Sequence, residues 1–301
     1  MTALLALVTV LAWGTWIPLA QLVPGIPQRT RTFYATVGNL ALATVALLAA
    51  GGHLEFGWRG FWLPLAGGVV WTAGNYSAFR ATEDIGLARA AGAWAPLNII
   101  VAFVWGAVLF GELDHFSRAR FAVLGGALLA VLAGMLLITR SRESTAAPGP
   151  PPPGADTAGR TGRGALWAGA AGILWGSYFI PAQWAGVPAQ VSDFPLAIGI
   201  LIGGLALALP AGEPVRLGPR ALGAQVGAGV LFGIGNLALL GLVSRVGTGA
   251  GFTIGQLSLL VNASIGIWFF HEPKPGTRQA RMALAGILIA GAGGCVIGVM
   301  R

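Results

Sequence analysis

Apolar residues run along this chain in long continuous stretches that short polar loops separate. Ten stretches are each long enough, at about 20 residues, to cross the hydrocarbon core of a bilayer as a helix. None shows the period-two alternation typical of the strands of an outer-membrane barrel. The pattern therefore predicts an all-α, polytopic membrane protein with ten transmembrane helices. These are predicted at 2–20, 33–50, 60–80, 87–110, 119–138, 165–185, 194–210, 221–243, 249–270 and 280–300.

A polar segment at 139–164 separates the first five stretches from the last five. It is rich in proline and arginine and holds almost no large apolar residue. Such a composition favours an extended, solvated tether. The sequence thus predicts a five-helix repeat at 1–138, a linker at 139–164 and a second five-helix repeat at 165–301.

The two halves repeat each other in sequence. Trp13 returns as Trp175 (175 − 13 = 162), and Asn75 returns as Asn236 (236 − 75 = 161). Because five is an odd number of crossings, the second copy must enter the membrane from the opposite face. Two inverted repeats are therefore expected, an architecture that transporters use for alternating access.

Composition agrees with a membrane protein and excludes a soluble one. The chain is 55% hydrophobic and 9% charged, with a mean hydropathy of +0.76, whereas charged residues make up about a quarter of soluble proteins. The net charge of +8 is sorted by loop: thirteen of the 18 basic residues fall on the face of the linker and five on the face of the termini. The positive-inside rule then predicts a cytoplasmic linker and external termini, and no nucleic-acid partner. Arginine in place of lysine favours a bacterial source, and hence the cytoplasmic membrane.

The predicted spans carry neutral polar groups near their centres. No Asp, Glu, Lys or His falls near the centre of any predicted span. Amides can donate to and accept from sugar hydroxyls, and an indole face can cover the apolar side of a sugar ring. We therefore predict a neutral, sugar-like solute. The predicted binding residues are Trp13, Trp16, Gln21, Asn75, Trp94, Asn98, Trp175, Tyr178, Gln183, Asn236, Gln256 and Asn262.

Two structural explanations compete with this prediction. Amides also pair helices with each other, and tryptophans also form interfacial belts. The repetition of Asn75 as Asn236 favours a pocket. Pro18 and Pro181 are predicted to interrupt the first helix of each half and to expose backbone carbonyls to a cavity.

One acid ends the fourth predicted helix of each repeat: Glu112 in the first and Glu272 in the second. A helix C-terminus opposes a carboxylate, so an arginine partner such as Arg118 or Arg278 is expected. A proton-coupling role is the alternative. Because the spans lack a central acid, we expect facilitated diffusion or loose proton coupling.

Small residues recur at four-residue spacing in the last span, at Gly286, Ala290, Gly294 and Gly298. Such a stripe lets helices approach closely, either within the fold or in a homodimer. We find no metal-ligand cluster, no nucleophile–base pair and no phosphate loop, so the sequence predicts neither an enzyme nor a cofactor.

Three motifs resemble those of a known family. They are the stretch from Trp175 to Pro181, the pair Gly235-Asn236, and the stretch from Gly251 to Leu257. The ten-helix chain resembles the drug/metabolite transporter superfamily, and the motifs resemble its bacterial glucose/ribose porter family. This resemblance implies monosaccharide uptake by a secondary transporter. The alternatives are a metabolite or drug exporter of the same superfamily, a non-transporting membrane scaffold, and a membrane-embedded enzyme.

Overall fold

The computed structural model describes residues 1–54, 57–85, 87–143, 157–212, 215–271 and 273–299. Within these ranges the regular elements are helices, which confirms the all-α prediction. A π-helical turn, Trp58–Trp62, precedes α3, and a 3-10 turn, Leu209–Ala211, follows α8. In chain order the helices are α1 Thr2–Gln21, α2 Gln28–Ala49, α3 Leu63–Ile85, α4 Leu87–Phe110, α5 Arg118–Glu143, α6 Thr157–Ser177, α7 Ile180–Ala185, α8 Ala189–Ala208, α9 Pro219–Val246, α10 Thr248–Gln256, α11 Ser258–Trp268 and α12 Arg278–Val299.

Nine spans of the described residues are long and apolar enough to cross a membrane. Two of them are helix pairs, α6 with α7 and α10 with α11. The tenth predicted span is α3, which has 23 residues. It is less apolar because it carries buried Thr72, Asn75 and Ser77. All ten predicted spans are therefore helical, and the most polar one lies inside the bundle.

Helices continue into both ends of the predicted linker. α5 extends to Glu143 and α6 begins at Thr157, so the polar connection is shorter than the predicted 139–164. The first turns of α6 are held against α3, because Arg163 donates to both carboxylate oxygens of Asp84 at 2.7 and 2.8 Å. The proline run at 150–153 lies outside the described residues.

Helix breaks occur in the second half only, among the described helices. α6 and α7 are separated at Tyr178 and Phe179, and α10 and α11 at Leu257. Their counterparts α1 and α4 are continuous although each contains a proline, Pro18 and Pro96. The predicted interruption is therefore wrong for Pro18. Pro18 removes one backbone bond, to the carbonyl of Gly14, and neighbouring groups can compensate such a loss in a membrane helix.

The helices pack in pairs that have counterparts in the other half. α1 packs on α9 as α6 packs on α3, α2 packs on α9 as α8 packs on α3, and α11 packs on α1 as α4 packs on α6. α2 also packs on α8, α4 on α10 and α5 on α12. Each contact between a helix of one half and a helix of the other thus recurs when the halves are exchanged.

Glycines make two of these contacts close. A Cβ on Gly38 of α2 would overlap the carbonyl of Val226, and a Cβ on Gly199 of α8 would overlap the carbonyl of Leu65. Both partners are repeat equivalents, since 199 − 38 = 161 and 226 − 65 = 161. Equivalent glycines therefore permit equivalent backbone approaches in the two halves.

The small-residue stripe of α12 is used within the chain. Gly286 and Gly134 of α5 face each other so closely that a Cβ on either would overlap the other's carbonyl. Ala290 is fully buried, and a Cβ on Gly294 would meet Leu257 of the α10–α11 break. Gly286, Ala290 and Gly294 therefore pack against other helices of the same chain. The surroundings of Gly298 are not among the described features. This is the first of the two roles that the sequence left open.

Candidate functional site

Aromatic rings from both halves meet at the centre of the bundle. Phe232 of α9 contacts Trp13, Trp16 and Trp71, with ring centroids 6.3, 5.2 and 4.9 Å apart. Trp71 and Phe232 are themselves repeat equivalents (232 − 71 = 161). The two halves thus touch through the same position, and this aromatic centre connects α1, α3 and α9. Phe232 was missed from the sequence because an apolar residue in a span carries no signal of its own.

Tyr178 and Asn236 form the best-buried polar pair beside the aromatic centre. The Tyr178 hydroxyl donates to Asn236 Oδ1 at 3.0 Å, and the residues are 3% and 1% exposed. Tyr178 occupies the break between α6 and α7, which turns its side chain away from a regular helical course. The Asn236 Nδ2 group has no partner. The structure therefore brings these two predicted residues together and leaves one amide donor unused.

Asp193 is a buried acid that the sequence analysis missed. It is 0% exposed, and neither carboxylate oxygen has a hydrogen-bond partner. Leu196, on the same face of α8 one turn later, and the Tyr178 carbonyl both lie against Gly67 of α3, so Asp193 stands near the break between α6 and α7. The predicted span 194–210 begins one residue after Asp193, whereas α8 begins at Ala189. The sequence analysis expected no acid near the centre of a span, and it left out Asp193, which lies one turn inside α8. The repeat equivalent, Thr32 (193 − 32 = 161), already lies within α2.

The equivalent positions of the first half are arranged differently. Asn75 Nδ2 donates to Thr32 Oγ1 at 3.4 Å. Trp175 Nε1 donates to the carbonyl of Trp71 at 3.2 Å, whereas the equivalent indole N–H of Trp13 is buried without a partner. Equivalent residues therefore have different hydrogen bonds in the two halves.

Trp13, Asn236, Asp193 and Asn98 are four of the described residues with buried polar atoms that lack partners; Asn39, whose Oδ1 lies against Gly233, and Gln225 are others. In the first four, the donors are Trp13 Nε1 and Asn236 Nδ2, and the acceptors are the Asp193 carboxylate and Asn98 Oδ1. Buried polar groups in folded proteins are nearly always paired. A ligand that offers both hydroxyl donors and acceptors would satisfy these atoms. This set is the candidate site.

The candidate site is closed around its own side chains. A cleft of about 550 Å³ opens elsewhere, between α1, α2, α8 and α9. Its walls are mainly apolar and include Ala238, two residues from Asn236, but none of the four residues with unpartnered atoms. Opening of the site to solvent would require the helices to move.

Several predicted binding residues lie apart from the aromatic centre. Gln21 is exposed at the end of α1. Its counterpart Gln183, in α7, accepts a hydrogen bond from Thr248 Oγ1 at 2.8 Å. Both glutamines stand at helix ends, so the structure does not bring them into the site.

Other predicted residues border it. Trp94 packs edge-on against Trp175, with ring centroids 5.5 Å apart. Gln256 is half-buried at the break before α11, and Asn262 is half-buried in α11. These residues surround the candidate site on the side of α4 and α11.

Glu112 binds the N-terminus of a helix in the other half. Its carboxylate accepts the backbone N–H groups of Thr248 and, at 3.2 Å, of Gly249, the first residues of α10. Gly247, with φ +84°, leads into this turn, and a Cβ there would crowd the carboxylate. The expected pairing of Glu112 with Arg118 is therefore wrong, since the helix dipole and free N–H groups of α10 supply the partner. Glu272 lies outside the described residues.

Fold and site together define a polytopic helical membrane protein whose centre combines aromatic rings with neutral amides and one buried acid. A family model described as sugar transport protein matches residues 4–300. The chain belongs to this sugar transport family, which confirms the resemblance seen in the motifs. It is therefore a multi-pass membrane protein of a family of transporters, for which a sugar-like substrate and the lipid bilayer are the partners.

Relatives agree along the whole chain. A Listeria monocytogenes protein named for sugar uptake is 25% identical over 301 residues, covering 100% of this chain and 99% of the relative. One from Lactiplantibacillus plantarum, also named for sugar uptake, is 23% identical over 302 residues and 100% of both chains. A Staphylococcus epidermidis protein named for ribose uptake is 30% identical over 131 residues, 44% of this chain and 43% of the relative.

A solved crystal structure has the same fold. It superposes with a TM-score of 0.72 at 21% sequence identity, covering 100% of this chain and 99% of the other. At this identity the likeness concerns the arrangement of helices alone.

Proposed function

We propose that this chain takes up a monosaccharide across the bacterial cytoplasmic membrane by alternating access. The family and the bacterial relatives named for sugar or ribose uptake support a sugar substrate and the inward direction. The linker faces the cytoplasm and the termini face outwards, in keeping with the thirteen-to-five distribution of basic residues.

The unpartnered polar atoms carry this proposal. Two donors, on Trp13 and Asn236, and two acceptors, on Asp193 and Asn98, are buried without partners, and the Trp13 and Phe232 rings belong to the central aromatic cluster. Adjacent hydroxyls of a monosaccharide can both donate and accept, while its C–H face packs on aromatic rings. A lipophilic drug would leave these buried groups unpaired, which costs about 1–3 kcal/mol for each one.

Alternating access is supported by packing that recurs between the halves together with hydrogen bonds that do not. The helix contacts have counterparts in the other half, so an exchange of roles preserves them. On the face of the termini, Glu112 ties the end of α4 to the start of α10. We infer that this contact keeps α4 and α10 together on that face, while a cleft opens beside it between α1, α2, α8 and α9.

Counterflow in proteoliposomes tests this function. Vesicles with purified protein are loaded with unlabelled glucose or ribose and diluted into labelled sugar. Transient accumulation of label, absent from protein-free vesicles, is the expected result, and mannitol or an amino acid as the internal solute should not support it. Lack of label entry with every monosaccharide tried would contradict the proposal.

A further inference from the structure

We propose that Asp193 is the acid that takes up and releases a proton during transport, so that sugar and proton share one site formed by Asp193, Asn236 and Tyr178. This inference rests on the proposed function. It departs from the expectation of facilitated diffusion or loose proton coupling, which was based on the lack of an acid near the centres of the predicted spans.

The geometry of Asp193 sets it apart from every other described acid in a span. The residue is 0% exposed one turn inside α8, and both carboxylate oxygens lack a donor. An ionised carboxylate buried in this way costs free energy unless a proton or a ligand donor compensates it. Glu112 differs, because two backbone N–H groups already satisfy its carboxylate.

Among the described residues, no hydrogen bond or ion pair reaches Asp193 from the elements packed against α8. The ionisable residue Tyr178 stands in the nearby break between α6 and α7. Other charged side chains on these elements have partners of their own. Arg31 binds a carbonyl just after α1. Arg80 pairs with Glu83, and Asp84 pairs with Arg163. Arg59 and Arg245 are exposed at the face of the termini. The remaining ones on α2, α3 and α9 are Arg29, Tyr34, Tyr76 and Arg220.

The same site offers complementary groups to one sugar hydroxyl. A sugar hydroxyl can donate to the carbonyl oxygen of protonated Asp193 and accept from Asn236 Nδ2, and both groups lack partners in the chain. A proton from outside water forms the O–H bond on the carboxylate before the sugar binds, so that proton and sugar move inward together. The O–H bond breaks when the proton returns to water on the cytoplasmic side. The first half carries neutral Thr32 at the equivalent position. Because Asp193 binds one proton, the inference predicts one proton for each sugar.

Accumulation and counterflow in the same proteoliposomes test the inference. With one proton for each sugar, a pH gradient of one unit should drive about tenfold accumulation, since one unit is a tenfold ratio of proton activity. Asp193→Asn should abolish accumulation while label still exchanges in counterflow, at a reduced rate. Asp114→Asn is the matched control, because Asp114 is exposed in the loop after α4, and it should accumulate like the wild type.

A binding measurement tests the inference even if Asp193→Asn loses all transport activity. Sugar binding to purified protein, followed by tryptophan fluorescence between pH 5 and 8, should depend on pH in the wild type and in Asp193→Glu, and should not in Asp193→Asn. Accumulation or pH-dependent binding that survives in Asp193→Asn would overturn the inference. A wild type that exchanges sugar without accumulating it also overturns the inference alone, whereas a wild type without counterflow overturns the proposed function.

Discussion

The two halves of the candidate site are built from equivalent residues but are in different states. In the second half, the break after α6 allows Tyr178 to bind Asn236, and Trp175 binds the carbonyl of Trp71. In the first half α1 runs through the equivalent point as a continuous helix, and the indole N–H of Trp13 has no partner.

This difference shows that two related motifs have different conformations in one structure. They share Trp, Gly and Gln at a step of 162, whereas their prolines are offset by one residue (181 − 18 = 163). If the halves exchange conformations, the closed face of the molecule changes while the packing between halves is kept. Such an exchange between two states of similar free energy is what alternating access requires.

The largest effect is expected where the halves pack alike. Gly38→Leu and Gly199→Leu should each prevent folding, because the side chain would overlap the carbonyl of Val226 or of Leu65, and overpacking against backbone costs about 1–3 kcal/mol or more. Gly125→Ala is the control, since a Cβ there meets no neighbouring atom. Size-exclusion chromatography of fluorescent fusions measures the folded fraction. If the two substitutions reduced the folded fraction unequally, the packing at these two glycines would not be equivalent in the two halves.

The next effect separates the two asparagines. Asn236→Ala should weaken sugar binding by about 0.5–1.5 kcal/mol, up to roughly tenfold in Kd, through loss of one neutral hydrogen bond to the ligand. Asn75→Ala should weaken it less, because the Asn75 amide already donates to Thr32. Titrations of purified variants by tryptophan fluorescence give both constants. Equal Kd changes would mean that the two amides contribute alike to sugar binding, whereas a loss of thermal stability with unchanged Kd would assign them to helix packing.

A smaller effect is expected at the face of the termini, where Glu112 binds the start of α10. Glu112→Ala removes the acceptor for two N–H groups at the start of α10, a loss comparable to that of a helix cap at about 0.5–2 kcal/mol. The terminal face should then open more often. Faster thiol labelling of Thr253→Cys, a position buried in α10, is the readout, in a Cys295→Ala background and with Asp114→Ala as the control. Unchanged labelling would mean that Glu112 does not hold this face closed.

The smallest effect is expected at the linker face. Arg163→Ala removes an ion pair to Asp84 whose arginine is half exposed, and such pairs contribute about 0–1 kcal/mol. Thermal stability should fall slightly, and the difference should vanish at high salt. A large loss of stability that salt does not affect would show that the contact of α3 with α6 depends on this pair.

Much of the fold and part of the site follow from the sequence. Continuous apolar stretches predict the helices because lipid leaves the backbone few alternatives, and the repeat predicts that Asn236 and Tyr178 matter. Asp193 was lost through a span boundary placed five residues late, and Phe232 through its lack of polar atoms. Gln21 and Gln183 share the repeat but stand at helix ends. The different hydrogen bonding of Trp13 and Trp175 has no sequence signal, because it distinguishes two conformations of one motif.

Distances between spin labels on the two faces test the central claim most directly. In a Cys295→Ala background, one pair is placed on the terminal face, at Asp114 and Arg245, and another on the linker face, at Ala93 and Phe269; all four are exposed. The account predicts that sugar and pH shift the two distance distributions in opposite directions, one widening as the other narrows. Distributions that stay unchanged, or widen together, in labelled protein that still carries sugar would contradict it.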